Sequence, residues 1–286
     1  MRVQAEAWAV YRKAYNAGRK EVKRLKKQGM MPYLQALSDF LKEDMIAEEI
    51  PLGIMNIPTE KIVGTGKAEN RELYTADFLP LSAPDGPFAS KWCKLYWYYI
   101  SNKGLRCPIT CYEYLGKFYL VDGLKRVSIA KCHGVPNLTA SVTRLMPAQT
   151  NDPGVRRYMD FLSVFEKTGL YEVDFSIPYS FERFQKALGH ELDYVWNEED
   201  RLDFLFNWHV FEYAFEEAFN GYLTITPADA FLVLLEEHPY EHLREMHPMV
   251  LIQMMRREVD RFYALQNVVN EKEKNVGASE KKNGSK

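Results

Sequence analysis

The chain has 286 residues, of which 47% are hydrophobic, and its formal net charge at pH 7 is −2. This length and composition allow a sizeable core and two packed units, and the near-neutral balance excludes a chain that is polycationic throughout. Neither a long apolar run nor the apolar stretch of a signal peptide occurs, so no membrane span is expected. We therefore expect a cytoplasmic protein whose four cysteines are reduced thiols.

The charges are unevenly distributed along the chain. Residues 1–30 contain nine Lys and Arg but only two acidic residues, whereas the segment Glu191–Glu217 is acidic. Such a basic segment binds a polyanion such as DNA, pairs with an acidic part of the same chain, or forms a solvated helix face. The sequence leaves these three interpretations open.

The first predicted elements are two helices. Apolar residues recur at helical spacing over Ala5–Gln28, where Gly29 supplies an end signal, and again over Pro32–Glu48. Together they predict a basic N-terminal helical arm over residues 1–49.

Strand and loop signals follow this arm. Prolines and β-branched residues predict short strands at Ile54–Ile57 and Ile62–Val63. Residues 64–87 predict a long loop of the kind that often carries function.

An aromatic helix, a hairpin, a second helix and a final strand are predicted next. The aromatic stripe of the first helix, which includes Trp92 and Tyr96, is typical of core packing rather than of a base-stacking surface. The predicted elements are helix Phe88–Asn102 with its cap at Gly104, strand Cys107–Leu115, a turn at Gly116 and Lys117, strand Phe118–Gly123, helix Leu124–His133 with its cap at Gly134, and strand Leu138–Leu145.

The chain is predicted to be helical after Pro147. Thr226 followed by Pro227 and Asp229 is a strong helix-start signal. Residues 270–286 are polar and predict a disordered tail. The predicted helices are Arg157–Thr168, Tyr179–Leu188, Asn197–Asn220, Pro227–His238 and Pro248–Val269.

The stretch "YLVDGLKRVSIAKCHGVP", Tyr119–Pro136, predicts an anion site. Gly123 permits a tight turn from strand to helix, and the start of that helix offers unpaired N–H groups and the positive end of its dipole. Lys125, Arg126 and Ser128 add hydrogen-bond donors, so a phosphate would bind well there. A charged helix face without a ligand is the alternative.

The order of elements from Ile54 to Leu145 resembles the N-terminal domain of ParB, the chromosome-partitioning family, and its relatives in the ParB/sulfiredoxin superfamily. That family combines G-x-x-x-P-I, an apolar strand, G-E-R-R at a helix start, and G-x-x-x-I. The resemblance covers about a third of the chain. Matching positions here are Gly104, Pro108, Ile109, Gly123, Arg126, Ala130 and Gly134.

A wider stretch is similar to a group of clostridial ParB-like proteins without a settled function, including a T-x-x-D-A-F-L element like Thr226–Leu232. The superfamily resemblance implies that nucleotide phosphates bind at the helix start, as CTP does in ParB and ATP in sulfiredoxin, with Mg²⁺ if the nucleotide is a triphosphate. A facing loop would close over it. The predicted site residues are Gly64, Thr65, Gly66, Lys67, Asp122, Gly123, Lys125, Arg126 and Ser128.

Two departures from the family restrict what is implied. Sulfiredoxin has a reactive cysteine after the glycine, where this chain has Leu124, so sulfinic-acid reductase activity is not expected. ParB has Glu and Arg at the positions of Leu124 and Lys125, so the identity of the nucleotide stays open. ParB reads its operator with a basic recognition helix. The sequence after Pro147 contains no such helix that can be identified from its pattern of residues.

The sequence therefore predicts an α+β protein with a helical arm (1–49), a ParB/sulfiredoxin-like domain (50–148), an α-helical domain (149–269) and a tail (270–286). The preferred function is a nucleotide- or phosphate-binding regulatory module that associates with DNA through the basic N-terminal helix.

A small kinase or NTPase, with Glu60 or Glu69 as the required acid, and a ligand-free interaction scaffold are the alternatives. No catalytic residue and no metal site is predicted, and a homodimer is left open.

Overall fold

The computed structural model describes residues 2–101, 107–148, 152–177 and 180–269, with side chains from Ala5 onward except that of Pro153. The chain divides into two compact units, unit 1 over residues 1–150 and unit 2 over residues 151–286. The predicted boundary, 148/149, lies two residues before this division. The predicted cap at Gly104 and the predicted tail, 270–286, lie outside the described residues.

Unit 1 is built on a six-stranded mixed sheet with the strand order β1-β3-β5-β4-β6-β2. β1 runs parallel to β3, β3 parallel to β5 and β4 parallel to β6, while β4–β5 and β2–β6 are antiparallel. The strands are β1 Gln35–Ala36, β2 Ile46–Pro58, β3 Ile62–Thr65, β4 Ile109–Tyr114, β5 Lys117–Asp122 and β6 Asn137–Pro147; the helices are α1 Arg2–Lys27, α2 Pro87–Ser101 and α3 Leu124–Cys132.

The predicted hairpin and the helix after it are present, but the turn is Leu115–Gly116 rather than the predicted Gly116–Lys117, because Lys117 already pairs with Tyr114 in the sheet. Leu115 and Gly116 both have positive φ, +50° and +73°, which is the conformation of a two-residue turn that matches the twist of β4 and β5. The helix α3 then begins at Leu124 and ends before Gly134, whose φ is +64°. Local turn chemistry was sufficient to predict this region.

The predicted helix over Pro32–Glu48 is wrong. Residues 35 and 36 form β1, and the chain continues through two single-turn 3₁₀ helices before β2 begins at Ile46. Leu37 and Leu41 of this segment are buried and pack in one cluster with Tyr114 and Tyr119, whereas Phe40 is 39% exposed. Pairing with β3 therefore replaces a local helix.

The first 49 residues do not form a separate arm, because β1 and the start of β2 are strands of the sheet. The inner face of α1 also belongs to the core of unit 1. Tyr11 contacts Trp92 edge to face at 5.3 Å between ring centroids, and Trp92 stacks on Tyr96 at 5.6 Å. These three rings are buried, which confirms the predicted core role of the α2 aromatic stripe.

The regular elements of unit 2 in its described residues are all helices, joined by turns and irregular segments. Asn197 and Asp200 form a capping box at the start of α6, and Thr226 and Asp229 form one at the start of α7, as the Thr226 signal predicts. The helices are α4 Pro153–Thr168, α5 Ser180–Ala187, α6 Glu198–Phe219, α7 Pro227–Leu235, α8 Tyr240–Arg244, α9 Pro248–Arg257 and α10, residues 259–269.

Three predicted helices in unit 2 differ from the structure in their extent, and the first of them begins at Pro153 rather than Arg157. The helix that begins at Pro227 ends at Leu235 rather than His238, and the helix predicted over Pro248–Val269 is interrupted at Glu258. Together the two units give a mixed α/β chain consistent with the predicted α+β class. Within the described ranges, no helix has both the length and the apolar character needed to cross a bilayer.

Candidate functional site

The predicted phosphate site lies at one edge of the sheet in unit 1. β3 and β5 are parallel neighbours, so their carboxyl ends meet at the same edge. The Gly66 N–H donates to the Leu120 carbonyl oxygen at 2.8 Å. β5 ends at Asp122, and α3 begins two residues later at Leu124. The prediction that Arg126 lies in the first turn of a helix is confirmed, and the 64–67 segment lies at the same edge.

Gly123 is required by the turn into α3. Its φ is +113°, and a Cβ atom at this position would lie 2.6 Å from Ile109 Cγ2. An alanine would therefore combine backbone strain with a clash. No side chain caps α3 in the described contacts, so its first-turn N–H groups are not satisfied by a capping side chain.

Arg126 is bound by the polypeptide itself. Its Nη1 donates to the carbonyl oxygens of Cys107 at 2.7 Å and Pro108 at 2.6 Å, and its Nη2 forms an ion pair with Asp122. The Arg126 side chain is only 14% exposed, whereas that of Asp122 is 74% exposed. These contacts tie the start of β4 to the end of β5 and to α3, which is a structural role for Arg126.

Two predicted hydroxyl ligands are buried in the fold. Ser128 is fully buried, and its Oγ accepts a hydrogen bond from Trp92 Nε1 at 3.1 Å. Thr65 is also buried, and its Oγ1 donates to the Leu120 carbonyl oxygen at 3.1 Å. The predictions that these two hydroxyls bind phosphate are not supported, because both face protein rather than the open edge.

The glycines of the "GTGK" string serve the pairing of strands. A Cβ at Gly64 would lie 2.2 Å from the Gln35 carbonyl oxygen, so this glycine is what lets β1 approach β3. Gly66 extends the same pairing, because its carbonyl oxygen accepts from Ser38 N–H at 3.1 Å. Only Lys67 of this string is exposed.

Lys125 and Lys131 lie over aromatic rings that the sequence did not single out. Lys125 Nζ is 4.7 Å from the ring centroid of Phe88, and Lys131 Nζ is 5.1 Å from that of Phe78. Burial lowers the pKa of Lys125, Lys91 adds to this effect, and Asp122 opposes it. Lys125 is therefore a half-buried cation in the first turn of α3.

Glu60, a candidate acid for phosphate chemistry, lies near the other end of α3. Burial lowers the pKa of Lys131, in the last turn, and the charges of Asp77 and Glu60 oppose that shift. A phosphate at the start of α3 would be at the opposite end of the helix. Glu69 lies in the exposed segment after the strand β3.

Three of the four cysteines are shielded from solvent to a degree that disfavours the thiolate form. All four are free thiols. Burial raises the pKa of Cys132 and of Cys93 to about 11 and that of Cys111 to about 12. At neutral pH these three groups are almost entirely protonated and are therefore weak nucleophiles.

The outer face of α1 forms the densest cluster of positive charge in the described part of unit 1. The residues on its inner side that pack into the core include Ala7, Tyr11 and Ala14. Glu21 forms an ion pair with Arg24 at 2.5 Å, which leaves Glu6 as the other acid of the helix. The exposed basic residues, called here the α1 basic face, are Arg12, Lys13, Arg19, Lys20, Lys23, Arg24, Lys26 and Lys27.

No protein-family model matches the chain, and no curated protein matches it either. The ParB-like resemblance accordingly stays a prediction from the sequence motifs. The fold and the two candidate regions define a mixed α/β protein with a basic helix at its surface.

Proposed function

We propose that unit 1 is a ParB-like, phosphate-binding regulatory module that associates with DNA through the α1 basic face. The observation that carries this proposal is the exposure of eight cations on one helix whose opposite side is anchored in the core. From Arg12 to Lys27 the helix extends about 22 Å, long enough to follow several phosphates. An anchored helix presents these charges together, unlike a free tail.

The charge of the whole unit supports the same function. Residues 1–150 contain 22 Lys and Arg and 14 Asp and Glu, a net charge of +8, whereas residues 151–286 contain 15 and 25, a net charge of −10. The near-neutral total thus conceals a strongly basic unit. A field of this sign raises the rate at which a polyanion meets unit 1.

Nucleotide binding at the carboxyl edge of β3 and β5 is the second candidate. Ligands of open α/β sheets bind beyond the carboxyl ends of parallel strands, and here that edge holds the N–H groups of the first turn of α3 together with Lys125 and Lys67. A triphosphate would bring Mg²⁺.

The Arg126 side chain already has partners within the protein, which favours the alternative that unit 1 is an interaction scaffold without a ligand at this edge. The location of Glu60 beside Lys131 speaks against a kinase or NTPase.

The DNA proposal is tested with charge-matched variants of the full chain. Lys13, Lys20 and Lys27 recur every seven residues along the α1 basic face, and a triple Lys→Gln variant removes three of its charges. The control removes three exposed lysines from elsewhere in unit 1, Lys42, Lys94 and Lys117. Both variants change the net charge equally, so only the location of the charge differs.

Binding of a fluorescent non-specific duplex is measured by anisotropy at several salt concentrations. We expect the α1 variant to bind more weakly and the slope of log K against log salt to fall by roughly 0.9 for each phosphate that the variant no longer neutralises. The control variant should keep most of the wild-type slope. Equal weakening in the two variants would show that net charge, and not α1, determines binding.

A further inference from the structure

The helix α6 has two apolar sides, and one of them is uncovered. Phe204, Trp208 and Phe211 are buried in the core of unit 2. Leu202, Phe206 and Tyr213, called here the outer stripe, are 62%, 74% and 58% exposed. Their spacing of four and seven residues places them on one face of the helix.

A helix that buries one apolar side and exposes another presents a surface of the kind that partners cover. Three large apolar side chains in register along one helix are more than the scattered exposed hydrophobics that any protein surface contains.

Acidic side chains adjoin the outer stripe at both ends. Glu198 and Glu199 precede Leu202 by four and three residues, and Glu216 and Glu217 follow Tyr213 by three and four. All four are exposed. Charges next to the apolar seam of a helix pair determine which partner helix is accepted. This arrangement therefore selects an apolar partner face that is bordered by Lys or Arg.

An acidic cavity lies on the same helix, beside this surface. Its volume is about 430 Å³; Trp196 and Tyr240 contribute aromatic walls, and Glu199 and Asp203 contribute carboxylates. A guanidinium already binds there, because Arg244 Nη1 lies 3.3 Å from Asp203 Oδ2. Aromatic rings and carboxylates together suit a cationic side chain.

We propose that the outer stripe and its flanking acids dock a basic amphipathic helix of a partner protein. Apolar side chains of the partner would cover Leu202, Phe206 and Tyr213, and its Lys or Arg side chains would face the acids at both ends. The net charge of −10 on unit 2 favours a cationic partner over any other.

Two other occupants fit less well. A second copy of α6 would bring the same acids together, and like charges across an interface oppose association. The α1 basic face of another copy has the right charge, but the large exposed apolar side chains described near it begin only at Met30, beyond the helix. An apolar stripe needs an apolar partner face, so neither surface of this chain complements it.

The test uses the full chain and a synthetic helical peptide as the probe. The peptide carries Leu at positions i, i+4, i+7 and i+11 and Lys on both flanks; a second peptide carries Glu in place of Lys. Phe206→Ser removes the centre of the outer stripe. Tyr222→Ser is the matched control, since Tyr222 is also 74% exposed but lies beyond α6.

We expect the Lys peptide to bind the wild type and Tyr222→Ser alike, and Phe206→Ser at least about tenfold more weakly, a loss of about 1.4 kcal/mol. Glu216→Gln combined with Glu217→Gln should also weaken binding and reduce its salt dependence. Leu202→Ser gives an independent check if Phe206→Ser alters the circular dichroism spectrum.

Three results would overturn the proposal. The first is binding to Phe206→Ser as tight as to the wild type, and the second is equal binding of the Glu peptide. The third is a dimer of the protein alone, seen by sedimentation, that Phe206→Ser dissociates while Tyr222→Ser does not; the occupant would then be a second copy.

Discussion

The Arg126 guanidinium closes a small network at the edge of the sheet in unit 1. Two carbonyl oxygens, those of Cys107 and Pro108, accept from the same Nη1 atom, and Asp122 pairs with Nη2. The two carbonyl contacts matter most for stability, because an ion pair with a carboxylate as exposed as that of Asp122 contributes little. A partly buried carbonyl without its charged donor is left with an uncompensated desolvation cost.

Arg126→Ala is therefore expected to destabilise unit 1 by about 1–3 kcal/mol. Asp122→Asn is the control and should change stability by no more than about 0.5 kcal/mol. Thermal unfolding measured with and without ATP or CTP checks both the structural role and the nucleotide candidate. An Arg126→Ala protein that melts like the wild type but loses a nucleotide-induced shift would identify Arg126 as a phosphate ligand.

Helices and turns that are determined by nearby residues could be predicted from the sequence, whereas strands that pair with distant residues could not. The start of α3 and the β4–β5 turn depend on Gly123 and Gly116, whose positive φ is a local property. β1 was missed because its partner, Gly64, lies about thirty residues further along the chain. The pairing role of Gly64 in turn depends on β1, so local sequence patterns indicated neither.

The location of the candidate site could be predicted from the sequence, but the side chains that face solvent there could not. A strand that ends in Asp-Gly before a helix with two cations indicates a helix start at a sheet edge, and the structure has it there. Which side chains face solvent depends on neighbours such as Trp92 and Phe88, which come from α2. For α6 the sequence likewise predicted a helix over Asn197–Asn220 without showing which of its two apolar sides would be covered.

The packing of α1 gives a prediction that separates an anchored helix from a loose arm. Tyr11 is fully buried against Trp92, and its hydroxyl donates to the Ser82 carbonyl oxygen at 2.8 Å. Burial raises the pKa of Tyr11 well above its ordinary value. Tyr11→Ala should lower the free energy of unfolding by about 3–5 kcal/mol.

Lys13→Ala, on the outer side of the same helix, should change the free energy of unfolding by no more than about 0.5 kcal/mol. Urea unfolding followed by circular dichroism measures both values. Similar small effects of the two substitutions would mean that α1 is a loose arm. Deleting residues 2–28 would expose core rings, so substitutions on the outer face are the cleaner way to examine DNA binding.

At the scale of the whole molecule, each unit has its own core and its own sign of charge. The strands and core clusters of unit 1 involve residues before 150, and the large aromatic cluster of unit 2 begins at Val164. We therefore expect residues 1–150 to fold without the rest of the chain. Separation would also free a unit of charge +8 from a unit of charge −10.

This separation leads to an expected difference in DNA binding. The negative unit opposes the approach of a phosphate backbone to any chain that carries it, over a range set by the Debye length. That length is about 30 Å at 0.01 M salt and about 10 Å at 0.1 M, so the opposition is felt mainly at low ionic strength. Residues 1–150 should bind duplex DNA more tightly than the full chain at 0.01 M salt, and the two should converge as salt is added. The fragment is first shown to be folded by a cooperative thermal transition.

Anisotropy titrations of both proteins then measure this difference in affinity. Equal affinities at the lowest salt would show that the acidic unit does not restrain DNA binding. Tighter binding by the full chain would show that unit 2 contributes contacts of its own.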